Sequence, residues 1–168
     1  MSLIRELRNE YIPLYLAKNE VARFMYRDFL ISSDHPALVD KLYDDLPEGG
    51  VEKIGRMAAL LWRYERYLNN RWGRLSKYEI LTILTSVYRN PMLNVAVGGE
   101  EESLHLSVDA IDFCLTDNNY LYDLYEFIKN ATRDWSELIL YEKKPGVYNR
   151  IHLGLWKPDK EPFAKINK

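Results

Sequence analysis

The chain has 168 residues, 47% of them hydrophobic, and a formal net charge of −2. That is enough for one domain with a sizeable core, and it excludes a disordered chain and any electrostatic case for nucleic acid. The single cysteine, Cys114, excludes a disulfide framework and a cysteine-based zinc cluster.

The opening stretch, MSLIRELRNEYIPLYLAKNE, carries charges throughout and lacks an apolar run. It predicts neither a signal peptide nor a membrane span. Pro13 ends or kinks what precedes it. A helix fits NEVARFMYRDFLI, and a shorter one fits HPALVDKLYDDL, with Ser33 or Asp34 as its cap. PEGG, at Pro47 to Gly50, reads as a turn. The clearest helical stripe follows at 51–72: Ile54, Met57, Ala58, Leu61, Glu65, Leu68 and Trp72 recur at one-face spacing, all apolar but Glu65.

Near residue 76 the period changes. EILTILTSVY is β-branched and reads as a strand. DAIDFCL alternates, with Ile111, Phe113 and Leu115 on one face and Ala110, Asp112 and Cys114 on the other. NNYLYDLYEFIKNAT reads as a helix with the stripe Leu121, Leu124, Tyr125 and Ile128. SELILYEK is a strand. YNRIHLGLW alternates again, Ile151, Leu153 and Leu155 opposing Arg150, His152, Gly154 and Trp156. The fold class is α+β: N-terminal helices, then a small, mainly antiparallel sheet with helices on one face.

Two strands therefore turn an aliphatic face one way and one metal-binding side chain the other: Asp112 and His152. His105 lies seven residues before Asp112, and Gly154 leaves space beside the His152 ring. Two histidines and a carboxylate with an open fourth position form a catalytic zinc set. The alternative is a satisfied polar histidine on each half-buried segment and a hydrogen-bonding aspartate.

The order of residues from Thr85 onward resembles the zinc D-Ala-D-Ala peptidases, which cleave bacterial cell-wall peptide and share their fold with hedgehog signalling domains. TSVYRNPMLN supplies Ser86, Tyr88, Arg89 and Asn94; VGG supplies Gly98 and Gly99; SLHLSVDAID supplies Ser103, His105, Ala110 and Asp112; YNRIHLGL supplies His152. The resemblance covers about residues 76–157. It implies that His105, Asp112 and His152 hold Zn²⁺, that Arg89 faces the scissile carbonyl and its developing oxyanion, and that Ser103 supports the ligand loop, with Tyr88 and Asn94 in supporting places. Read without it, Arg89 is a salt-bridge partner for Glu100, Glu101 or Glu102, and Gly98-Gly99 is a hairpin turn. On this reading residues 51–168 are the peptidase-like domain and residues 1–50 an N-terminal helical extension.

The chain departs from the family pattern twice. Val108 stands where the family has glycine, which implies an altered local path. Asn149 stands three positions before the last histidine, where the family often carries the acidic general base; an amide cannot accept and return a proton. Glu142, Asp109 and Asp117 are the conceivable substitutes. Two functions follow. One is a zinc peptidase acting on peptidoglycan peptide, weakened by Asn149. The other is a catalytically degraded relative with a structural role in a bacteriophage virion, head or tail, docking to other virion proteins through residues 1–50. Neither calls for nucleic acid or membrane as a partner. Both place the chain in a virion or in host cytoplasm before release.

Overall fold

The computed structural model describes residues 3–12, 23–32, 35–76 and 78–167. Five α-helices occur among them: α1 (Leu3–Leu7), α2 (Val39–Asp44), α3 (Gly50–Trp72), α4 (Pro91–Ala96) and α5 (Leu121–Ala131). Strands β1 (Thr82–Ser86), β2 (Ala110–Leu115), β3 (Trp135–Lys144), β4 (Val147–Leu155) and β5 (Phe163–Asn167) form one mostly antiparallel sheet in the order β1-β2-β4-β3-β5. The class is α+β, as the two periodicities require. No helix among the described residues is long and apolar enough to cross a membrane. Contacts divide the chain into two compact units, residues 1–62 with 85–111 and residues 63–84 with 112–168.

The first unit is built on the N-terminal half of α3. Ile54, Met57, Ala58 and Leu61 are fully buried, so the stripe marks the packed face. The PEGG turn precedes the helix: Gly50 N–H donates to the Pro47 carbonyl at 2.9 Å, and Gly49 takes φ +74°. The helix expected over NEVARFMYRDFLI is replaced, in its described part, by one 3-10 turn at Tyr26–Phe29. Met25 is extended and bridges to Tyr11, and its N–H donates to Asp28 Oδ2 at 2.8 Å. That side-chain bond offers the backbone a partner outside a helix. HPALVDKLYDDL forms a 3-10 turn at Pro36–Leu38 that runs into α2; Ser33 and Asp34, like Pro13, lie outside the described residues. α4 is an element that the sequence reading did not include. Asn90 Oδ1 caps it by accepting from Leu93 N–H at 2.9 Å, with Pro91 in its first turn. The glycine pair closes this helix and is not a hairpin turn: Gly98 has φ +68°, and Gly99 N–H returns to the Asn94 carbonyl at 2.8 Å.

In the second unit β3 and β4 pair antiparallel around a turn at Pro145-Gly146, and β5 runs parallel to β3. α5 packs on β3 and β4 through Leu121, Leu124, Tyr125 and Ile128, the stripe expected of it. The C-terminal half of α3 stacks Tyr67 on Phe127 with centroids 3.7 Å apart. Trp72 Nε1–H donates to Asp123 Oδ2 at 2.7 Å. β5 was not expected: it is short and mostly exposed, with no apolar face to announce it.

Candidate metal centre

His105 sits in a single 3-10 turn, Leu104–Ser107, and is 3% exposed. Ser103 caps the turn, its Oγ accepting from His105 N–H at 3.4 Å. The ring is fixed from behind. Its Nδ1–H donates to the Val87 carbonyl at 2.5 Å, which leaves Nε2 as the nitrogen with a ligating lone pair. The main chain is fixed too, because Arg89 N–H donates to the His105 carbonyl at 3.1 Å.

The turn ends at Val108, with φ +57° and a fully buried side chain. The backbone here is in the left-handed region, where a glycine sits without strain. Val108 adopts the left-handed conformation itself, at a cost of about 1–2 kcal/mol. Burial of its side chain and the bond from Asp109 N–H to the Leu104 carbonyl at 2.9 Å offset that cost.

Asp112 lies mid-strand in β2, and His152 lies in β4 opposite Ile139 of β3. His152 Nδ1–H donates to Asp112 Oδ1 at 2.7 Å. The other ring nitrogen, Nε2, lies 3.5 Å from Oε2 of Glu137. Glu137 faces Gly154 in the β3–β4 register, and Gly154 sets no side chain of its own beside it. Burial disfavours the imidazolium of His152, but its bonds to Asp112 and Glu137 and their charges outweigh burial and raise its pKa to about 9. The same bond to His152, against desolvation, holds the Glu137 carboxyl below its ordinary range, helped by Lys160 at 3.7 Å.

One ligand atom each from His105, Asp112 and His152 lie within 4.8 Å of one another. The other motif residues have hydrogen-bond partners of their own. Arg89 Nε–H donates to Ser86 Oγ at 2.9 Å. Tyr88 is buried and donates its hydroxyl to the Asp45 carbonyl at 2.5 Å; burial, together with Asp45, pushes its pKa up to about 12. Asn94 donates to the Glu100 carbonyl at 2.8 Å and packs so tightly on Gly99 that a Cβ there would lie 2.1 Å from its Oδ1.

Asn149 is exposed, at the position the β3–β4 ladder skips between Tyr141↔Arg150 and Glu142↔Tyr148. The three acidic substitutes are engaged: Asp109 with Lys53 at 2.8 Å, Asp117 as a cap for Asn119 N–H, and Glu142 with Gly146 N–H at 2.7 Å. Glu137 was not singled out from the sequence. Its signal was an acidic residue next to the apolar run Leu138-Ile139-Leu140, on the face opposite Leu138 and Leu140.

A model of the family described as Peptidase M15 matches residues 52–143, more than half of the chain. The matched stretch contains Arg89, His105 and Asp112 and ends before His152. No curated protein matches the chain.

Proposed function

Because the chain belongs to the Peptidase M15 family, we propose that it is a zinc-dependent peptidase hydrolysing an amide bond in bacterial cell-wall peptide. The observation that carries this reading is the convergence of His105, Asp112 and His152. The donor set suits zinc: two neutral imidazole nitrogens and a carboxylate oxygen, bonding at about 2.0–2.2 Å, leave one tetrahedral position open. The 2.7 Å contact between Asp112 and His152 holds a proton that binding of a cation by these two side chains would displace.

Zinc bound there supplies Lewis acidity and an acidified water. The remaining tasks belong to the chain. Val87 holds the His105 ring so that Nε2 faces the cluster. The Arg89 backbone fixes the same residue, and on this reading its guanidinium, held through Nε by Ser86 Oγ, is the group that would stabilise a developing oxyanion. The general base is the weak point, since the amide of Asn149 takes up no proton and Asp109, Asp117 and Glu142 are each engaged. We therefore expect slow turnover. That deficit also supports a second reading, in which the chain has a structural role in a bacteriophage virion and docks through residues 1–50.

Zinc analysis of the purified chain, followed by digestion of muropeptides with and without chelator, tests the proposal. One zinc per chain and slow, chelator-sensitive cleavage are expected. A chain that takes up no zinc sinks it. Stoichiometric zinc with no cleavage favours the structural role.

A further inference from the structure

A histidine can ligate a metal through one ring nitrogen only, and what its other nitrogen meets decides which one. At His105 the deciding partner is the Val87 carbonyl. At His152 both nitrogens face carboxylates, Nδ1 facing Asp112 and Nε2 facing Glu137. The two carboxylates are not equivalent. Among the described residues, the ligand atoms that converge belong to His105, Asp112 and His152, and Glu137 is outside that group. The ion's position is therefore on the Nδ1 edge of the ring, and Glu137 stands on the opposite edge.

We propose that Glu137 is a positioning residue for the metal centre: it accepts the Nε2–H of His152, fixes that tautomer, and directs the Nδ1 lone pair at the ion. The inference rests on the zinc reading above. Three features of β3 and β4 suit Glu137 to this task. It sits mid-sheet on an interior strand, where the backbone is held by β4 on one side and β5 on the other. Gly154 faces it across the ladder and leaves its carboxylate room. Lys160, 3.7 Å away, partly balances its charge. Because it lies across the ring from the ion, Glu137 does not reach a water there, and it acts on the reaction only through His152. A carboxylate in this place also raises the basicity of the imidazole towards the metal, and losing such a partner costs about 10–100-fold in metal affinity.

The test is zinc affinity, measured by competition with a chromophoric chelator, for the wild-type chain, Glu137→Gln and Glu137→Ala, with Lys129→Met, which loses the exposed pair with Glu126, as a control. Glu137→Ala should bind zinc about 10–100-fold more weakly. Glu137→Gln should fall between it and wild type, because an amide oxygen still accepts the proton without the charge. Lys129→Met should stay near wild type. Long-range proton–nitrogen spectra of the zinc-loaded wild type should place the His152 proton on Nε2. Wild-type affinity in Glu137→Ala, or the opposite tautomer, overturns the proposal. If Glu137→Ala does not fold, the near-isosteric Glu137→Gln decides: unchanged affinity overturns the assignment, and a several-fold loss supports it. A wild-type chain that binds no zinc at all instead overturns the zinc reading, a result distinct from any difference between variants.

Discussion

Glu65 Oε1 accepts from both the backbone N–H and the hydroxyl of Thr82, at 2.7 and 2.6 Å. Both residues are buried, one on α3 and one at the start of β1. The only acidic residue in the helix stripe is thus an attachment point for a strand. Glu65→Leu leaves a buried N–H and hydroxyl without their acceptor and should cost about 1–3 kcal/mol. Glu65→Gln keeps an oxygen there and should cost less. Urea unfolding checks this as a drop in midpoint with an unchanged slope. Equal stability of Glu65→Leu and wild type would show that the bond contributes nothing net.

His152 gives the metal-free chain a pH dependence of definite sign. Its folded pKa, about 9, is above the ordinary value of 6.5. The protonated ring with its two carboxylates therefore stabilises the fold fully below about pH 6.5, and that contribution is lost as pH rises through about 9. The most it can amount to is roughly 3 kcal/mol. Thermal unfolding in chelator between pH 6 and 10 should show the decline, and His152→Gln should flatten it. A slope identical in that variant would assign the titration to another group.

At Val108 the left-handed backbone and the buried side chain act in opposite directions. Val108→Ala and Val108→Gly both lose the same packing to within a methyl group, but only glycine is at ease at φ +57°. Val108→Gly should therefore be the more stable of the two by about 1 kcal/mol, with both below wild type. Chemical denaturation of the pair measures the difference. The reverse order would mean that the turn relaxes when the isopropyl group is gone.

On the zinc-peptidase reading, Asn149 limits how much chemistry the centre performs. With no proton acceptor there, muropeptide turnover should be weak, and Asn149→Glu should raise it, by up to about 10²–10⁴-fold if the carboxylate reaches the water. The position is exposed and sits in a bulge, which favours the longer Glu over Asp. Brisk zinc-dependent cleavage by the unmodified chain would show that a different base is present. Zinc-loaded Asn149→Glu with unimproved turnover would show that the bulge aims the residue elsewhere.

What could be read from the sequence was whatever repeats with a period. The α3 stripe, the α5 stripe and the alternation of β2 and β4 each recur over enough residues for one face to be evident. The segments that were misread lack that redundancy. Met25 to Phe29 has helix-forming residues, but Asp28 caps the Met25 N–H and the turn so opened runs only from Tyr26 to Phe29. α4 is six residues long, and its signal lies in the cap, Asn90-Pro91, more than in any stripe. β5 is short and mostly exposed. In the candidate centre, order along the chain pointed to His105, Asp112 and His152. Glu137 was hidden because its role depends on which residue of β4 it faces, and register across a hairpin is not visible in either strand alone.

His105 and Asp112 are seven residues apart, but Asp112 and His152 are separated by 40. Between them the chain must complete α5 and zip the β3–β4 hairpin. Such long-range closure is entropically expensive and comes late in the folding of mixed α/β domains. An unfolded or half-folded chain therefore offers an ion two ligands at best. A metal that requires all three binds only the finished molecule and draws the equilibrium towards it by mass action. Zinc added to refolding chains should slow their later unfolding without accelerating the first steps of collapse.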